Sequence, residues 1–293
     1  MQQPLLSIIT INYNNAKGLE QTLASVDVQT SKDFEHIIVD GASTDGSVEI
    51  IKKHDDGRVR RIWVSEKDSG IYNAMNKGIR MAHGRYLQFL NSGDFLVDSF
   101  VVDKMLKALV ADNFPPILYG NLINITKKGR YVRNRNAAGN YVSAWTMYHG
   151  ALTHASAYIE KTLFEKFGLY DENLRIVSDW KWYFEVMYNG GIQPVYADLD
   201  VVFFNLSGIS ETNHELNASE RRKVIEELLP PMVLADYDSK KSDLFDMAII
   251  NRHPVAKKLQ GLLIRFLRFQ EKIKQRKASM VLAKEISKGK TNV

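Results

Sequence analysis

The chain has no cysteine, an absence that removes disulfides, thiolate zinc sites and cysteine nucleophiles together. A reducing cytosol agrees with that and is the expected location. No uninterrupted apolar run approaches the roughly 20 residues of a spanning helix. The opening MQQPLLSIITINYNN has neither a basic leader nor an apolar run long enough for a signal peptide. No G-x-G-x-x-G follows the first apolar run, which argues against a dinucleotide-dependent dehydrogenase. Fixed-period repeats and low-complexity tracts are missing as well. What is present, 293 residues with 45% hydrophobic content, suffices for a substantial core in one large domain or a domain with an appendage.

Charge is unevenly spread. From Arg252 onward there are twelve Lys or Arg against Glu271 and Glu285, leaving the first 251 residues with 27 basic and 32 acidic side chains. The body is mildly acidic and the tail strongly basic. No recognised nucleic-acid motif accompanies the tail, so no nucleic-acid partner is expected. In Val255 to about Lys284, Leu259, Leu262, Leu263, Phe266, Phe269 and Ile273 recur at helical spacing among Lys and Arg residues. The pattern resembles an interfacial amphipathic helix and suits a peripheral place on an anionic membrane surface.

Along the body, Leu5 to Ile11, Phe34 to Val39 and Val59 to Ser65 read as strands, alternating with helices from about Lys17 to Gln29 and up to about Lys53. The most informative stretch is Trp63 to Asp94. Ile71, Met75, Ile79 and Ala82 recur at helical spacing, and Tyr86, Leu87, Phe89 and Leu90 read as a buried strand. Asp68 precedes that helix, and Asn91, Ser92 and Asp94 follow that strand, where open α/β sheets bind ligands. The alternation predicts a mostly parallel sheet with helices on both faces. Further on, a helix from about Asp98 to Ala111 and a strand near Ile117 to Ile125 precede a polar, basic segment, Thr126 to Ala144, expected as a hairpin or loop. Then come a short helix over Glu160 to Phe167, a longer one over Ser178 to Tyr188 capped by Ser178, and a strand pair over Gln193 to Phe204. A charged helix over Ala218 to Leu229 ends at Pro230 and Pro231.

SIITINYNN, IIVDGASTDGS, EKDSGIYNAMNKGI, GRYLQFLNSGD, LFEKFGLYDE and SDWKWY, in that order, resemble family 2 glycosyltransferases of the GT-A fold over roughly Leu5 to Tyr196. The resemblance implies a GT-A-like α/β domain over residues 1–210, its nucleotide-sugar half about 1–95 and its acceptor half about 96–210. Residues 211–293 form a helical, basic C-terminal extension outside it. It also implies inverting transfer of a sugar from a nucleotide-sugar, commonly UDP-linked, with a divalent metal, Mn2+ or Mg2+, at the diphosphate. The acceptor is expected to be a glycan or a lipid-linked saccharide of cell-surface polysaccharide synthesis. The chain lacks the QxxRW signature of processive synthases, which favours addition of single sugars.

Inverting transfer needs a base for the acceptor hydroxyl and positive charge for the departing diphosphate. Matched to the family's motifs, Asp179 stands at the catalytic-base position; charge compensation at a helix N-terminus is its plainer role. Asn12, Tyr13, Asp40 and Asp68 stand at nucleoside positions, where turn formation and capping compete. Lys77 is a candidate phosphate contact, against the ordinary solvated lysine. Relatives commonly carry a run of aspartates where this chain has Asn-Ser-Gly-Asp, so Asp94, assisted by the Asn91 carbonyl, is the remaining candidate for the metal. A nucleotide-sugar-binding scaffold without turnover is the alternative that this reduced turn suggests. His154, ahead of His149, is a candidate donor to the diphosphate or acceptor, and Trp182, with Trp180 and Tyr183, a candidate acceptor border, against core packing.

Overall fold

A computed structural model describes residues 3–125, 131–134, 141–150, 152–206, 208, 213–240 and 254–289. The chain forms two compact units, Met1–Leu228 and Leu229–Val293. In the first, strands β1 (Leu6–Asn12), β2 (Phe34–Asp40), β3 (Arg60–Ser65) and β4 (Tyr86–Phe89) alternate with helices α1 (Ala16–Asp27), α2 (Ser47–His54) and α3 (Ile71–Met81). These strands lie parallel in the order β3-β2-β1-β4. Both β1 and β2 are buried along their whole length, so polar Ser7, Thr10, Glu35 and His36 lie inside the sheet among the apolar residues.

Side-chain alternation sends the two faces of each strand to different helices. Ile38 packs with Leu19 and Leu23 of α1 and Ile51 of α2. Ile9, on the other face, meets α3 at Gly78, where an added Cβ would stand 2.4 Å from Ile9 Cγ2. Any larger residue there would lift α3 off the sheet, and with it the turn that precedes the helix.

The second half of the unit contributes β5 (Phe95–Leu96), α4 (Val101–Ala111), β6 (Ile117–Ile125), β7 (Tyr131–Asn134), α5 (Ala144–His149), β8 (Ala157–Glu160), α6 (Thr162–Phe167), α7 (Ser178–Tyr188) and β9 (Val195–Asn205). Strand β8 inserts antiparallel between β4 and β6, β6 runs parallel to β9, and β5 and β7 pair antiparallel with β9 and β6. The sheet is therefore parallel over β3-β2-β1-β4 and mixed beyond β4, as a GT-A-like α/β fold.

Two local expectations change and a third holds. The Gln193 to Phe204 pair is one strand: Tyr196 and Asp200 face Tyr119 and Asn121, so a bulge rather than a turn absorbs polar Asp198. Asn121 donates to Asp198 and Asp200 there. Ser178 is the first residue of α7 rather than its cap; its Oγ is buried without a partner, and Val177 occupies the cap position. Within the polar segment, β7 forms a hairpin with β6, and residues 126–130 and 135–140 lie outside the described residues. The unit continues to α8 (His214–Leu228), whose Glu220 accepts from the backbone N–H groups of Arg175 and Ile176 just before α7. The second unit contains a helical stretch over 231–240 and helix α9 (Pro254–Gly289).

Candidate active site

The C-terminal ends of β1, β2 and β4 open onto two adjoining cavities that share Asn15, Ile71, Asn91 and Ser92 in their walls. One, of about 720 Å³, is lined by Asn12, Tyr13, Gly41, Lys67 and Asp68. The other, of about 660 Å³, is lined by Asp94, His154, Asp179, Tyr72, Lys17 and Arg175. Each falls in the range of small-molecule sites.

Asp40 anchors the first cavity from behind. It is fully buried, and its two oxygens accept from Asn12 Nδ2 (2.7 Å), Ser43 Oγ (2.6 Å), Ser43 N (2.9 Å) and Ser65 Oγ (2.6 Å). Burial pushes its pKa up, but these bonds outweigh that and hold it below the ordinary value. Four donors fill the carboxylate's capacity, so the nucleoside expectation for Asp40 does not match its place in the wall; the carboxylate lining the cavity is Asp68. Asp68 Oδ1 accepts from Gly70 N at 3.1 Å, closing the turn before α3. Gly41 leaves the space for it: a Cβ at Gly41 would lie 2.6 Å from Asp68 Oδ2 and 3.1 Å from Tyr13. Tyr13 is 67% exposed, an open aromatic face at the rim.

The Asn-Ser-Gly-Asp turn is braced by α1. Thr22 Oγ1 accepts from Gly93 N and donates to Asp94 O, while Asn15 Nδ2 donates to Ser92 O. Asp94 Oδ1 accepts from Asn205 N at 3.0 Å. Burial pushes the Asp94 carboxyl up to about 7, against the Asn205 N–H and the nearby His154, which draw it down. Asn91 Oδ1 is buried with no hydrogen-bond partner, and Asn91 Nδ2 lies 3.4 Å from His154 Nε2.

Among the described residues no group of three or more His, Asp or Glu is placed to hold an ion. The pair that is there, an orphaned amide oxygen and an under-compensated carboxylate, suits a hard divalent cation that takes its other ligands from a diphosphate and water. It does not make a protein-only cage.

At the far end of the second cavity, Asp179 accepts from Tyr72 Oη (2.7 Å) through Oδ1 and pairs with His154 Nδ1 (2.8 Å) through Oδ2. Burial pushes Asp179 up, but hydrogen bonding and charge from His154, with the Tyr72 bond, outweigh it, and the group stays below the usual carboxylate value. Its side chain is 17% exposed and that of His154 13%, so both reach the cavity.

Other expected contacts fall elsewhere. Lys77 pairs with Glu66 (2.7 Å) and donates to Lys67 O, bracing the loop before α3 rather than facing either cavity. Trp182 is 2% exposed, stacks on Phe164 at 4.2 Å and donates to Gly168 O; with Trp180 and Tyr183 it is core rather than acceptor border. His149 is exposed and lies outside the second cavity's lining. Lys17 and Arg175 line that cavity and enter no ion pair among the described residues, yet neither was singled out from the sequence. Lone cations carry no periodic signal; their proximity to Asn15 and to Asp179 was the available clue.

A parallel half-sheet with two adjoining cavities at the carboxyl ends of its strands, carboxylates lining both, is the layout of an α/β enzyme that takes its ligands there. The chain belongs to glycosyltransferase family 2: the family model described as Glycosyl transferase family 2 matches residues 7–173. A PGL/p-HBAD biosynthesis glycosyltransferase of Mycobacterium tuberculosis is 27% identical over 215 residues, 72% of this chain and 81% of the relative. An uncharacterized glycosyltransferase of Rickettsia prowazekii is 25% identical over 74% of this chain and 69% of the relative. The fold is similar to S. aureus TarS 1-349 in complex with UDP-GlcNAc, with a TM-score of 0.61 and 18% identity over 75% of this chain and 64% of that one. The match thus covers less than two thirds of that chain, and only 42% of another TarS structure. The mannosyltransferase PcManGT of Pyrobaculum calidifontis, in complex with GDP-Man and Mn2+, has a TM-score of 0.56 and 14% identity over 88% of this chain and 84% of that one.

Proposed function

We propose that the chain transfers a sugar, with inversion, from a nucleotide-sugar, UDP-linked, to a hydroxyl of a glycan or lipid-linked saccharide. The observation that carries this reading is the ionised carboxylate of Asp179 facing a cavity that adjoins, across Ile71 and the Asn-Ser-Gly-Asp turn, a second cavity edged by Tyr13 and Asp68. The aromatic face of Tyr13 and the acceptor oxygen of Asp68 suit a nucleobase and its N–H group. The diphosphate then lies toward Asn91, Asp94, Lys17 and Arg175, and the sugar projects into the second cavity. A divalent cation at Asn91 and Asp94 supplies, when bound, positive charge to the leaving diphosphate.

In the transfer step the acceptor oxygen forms a bond to the anomeric carbon on the face opposite the diphosphate. The bond from that carbon to the diphosphate oxygen breaks, its electron pair leaving with the nucleoside diphosphate. Asp179 takes the hydroxyl proton. Low basicity is no obstacle, because the proton becomes acidic as the bond forms, and an ionised base is needed at the outset.

The experiment is a panel of nucleotide-sugars and saccharide acceptors, with and without Mn2+ or Mg2+, read as release of nucleoside diphosphate. Asp179→Asn is expected to lower turnover by about 10² to 10⁴ while nucleotide affinity is retained. Donor binding by the unsubstituted chain with no turnover on any acceptor would instead support a binding scaffold.

A further inference from the structure

We propose that α9 lies on an anionic membrane surface, its apolar stripe in the headgroup boundary and its basic flank against lipid phosphates. At about 100° per residue, Val255, Leu259, Leu262, Phe266 and Phe269 share one arc of the helix, and each is more than half exposed. Lys258, Arg265, Arg268 and Lys272 share the adjacent arc and enter no ion pair among the described residues. The one acid among the described side chains of α9, Glu271, is taken by Lys274 at 3.6 Å. Among the described residues no helix is long and apolar enough to cross a membrane, and an apolar stripe flanked by bases suits a helix lying in the interface.

A second copy of the helix is the competing occupant, because the four-three spacing of the stripe is also that of a coiled-coil seam. The flanks decide against it. Lys258, Arg265 and Lys272 recur every seven residues along one edge of the seam, and the opposite edge offers Ala256, Leu263 and Gln270. A parallel pair sets bases against neutral residues and an antiparallel pair sets bases against bases. Neither neutralises the charge, whereas lipid phosphates neutralise all of it.

The test is flotation of the full chain with vesicles of phosphatidylcholine alone or mixed with phosphatidylglycerol. The chain is expected to float with the mixed vesicles, to be released by salt, and to ignore the neutral ones. Arg265→Gln with Arg268→Gln should weaken partitioning about fivefold per charge removed. Phe266→Ser with Phe269→Ser should abolish it with the charge intact. UDP-induced thermal stabilisation, unchanged in both double variants, confirms that they are folded. Failure to float with anionic vesicles overturns the proposal. So does equal flotation of all three proteins, concentration-dependent dimerisation without vesicle binding, or salt-sensitive binding to RNA or DNA in place of vesicles.

Discussion

Asp179 is held ionised by the donors on its two oxygens, so its charge depends on its neighbours. Its pKa lies below the ordinary carboxylate value, so in the proposed role of base it is ionised throughout neutral and mildly acid pH. Removing His154 takes away the largest opposing contribution and leaves burial less opposed. In His154→Ala the acid limb of kcat is therefore expected to move up toward neutral pH, checked by a pH-rate profile at saturating donor. Asp94 has the opposite sign. Its folded pKa of about 7 exceeds that of an unfolded carboxylate, so the protonated form favours folding and that contribution is lost as pH rises through about 7. Asp94→Asn keeps an acceptor for Asn205 and discards the buried charge. Without ligand it is expected to be more stable than the unsubstituted chain at about pH 8, by on the order of a few kcal/mol, and to show little gain at about pH 4. Thermal melts across pH measure this. The site thus keeps a charge that the fold alone would do better without, as a residue retained for ligand binding does.

Among the elements, the turns after β2 and before α3 interlock through a missing side chain. Gly41 leaves room for Asp68 and Tyr13, and the overlap a Cβ creates, 2.6 Å to a carboxylate oxygen, requires Asp68 to move. Gly41→Ala is expected to weaken nucleotide affinity by about tenfold with only modest loss of thermal stability, as calorimetric titration with UDP can measure. Helix α1 plays the matching part on the other side, since Thr22 holds both Gly93 and Asp94 by hydrogen bonds to their backbone.

On the scale of the whole molecule, the parallel half was legible because β1, β2 and β4 are short, buried along their length and rich in apolar residues, with helical spacing between them. The pairing of β8 between β4 and β6 joins segments about 70 residues apart in sequence and has no local code. For α7, seven of its eleven residues are buried, so its pattern did not tell which aromatics face a ligand, and Trp182 went to the core. Asp40 could be placed at a strand end, but the four donors that fill it come from three separate segments. The Asp179 position, by contrast, followed from the order of motifs, and the structure puts it beside His154, a candidate from the same resemblance.

One connection joins the two ends of the double cavity. Asp68 and Tyr72 are four residues apart, on the turn and first coil of α3, one edging the nucleoside side and the other bonded to Asp179. On the proposed function, a nucleotide seated at Asp68 would steady Tyr72 and, through it, Asp179. The expected order is then donor before acceptor, with nucleoside diphosphate leaving last. Product-inhibition kinetics should accordingly find UDP competitive against the donor and the glycosylated product noncompetitive against the acceptor, whereas a random order would make that product competitive against the acceptor.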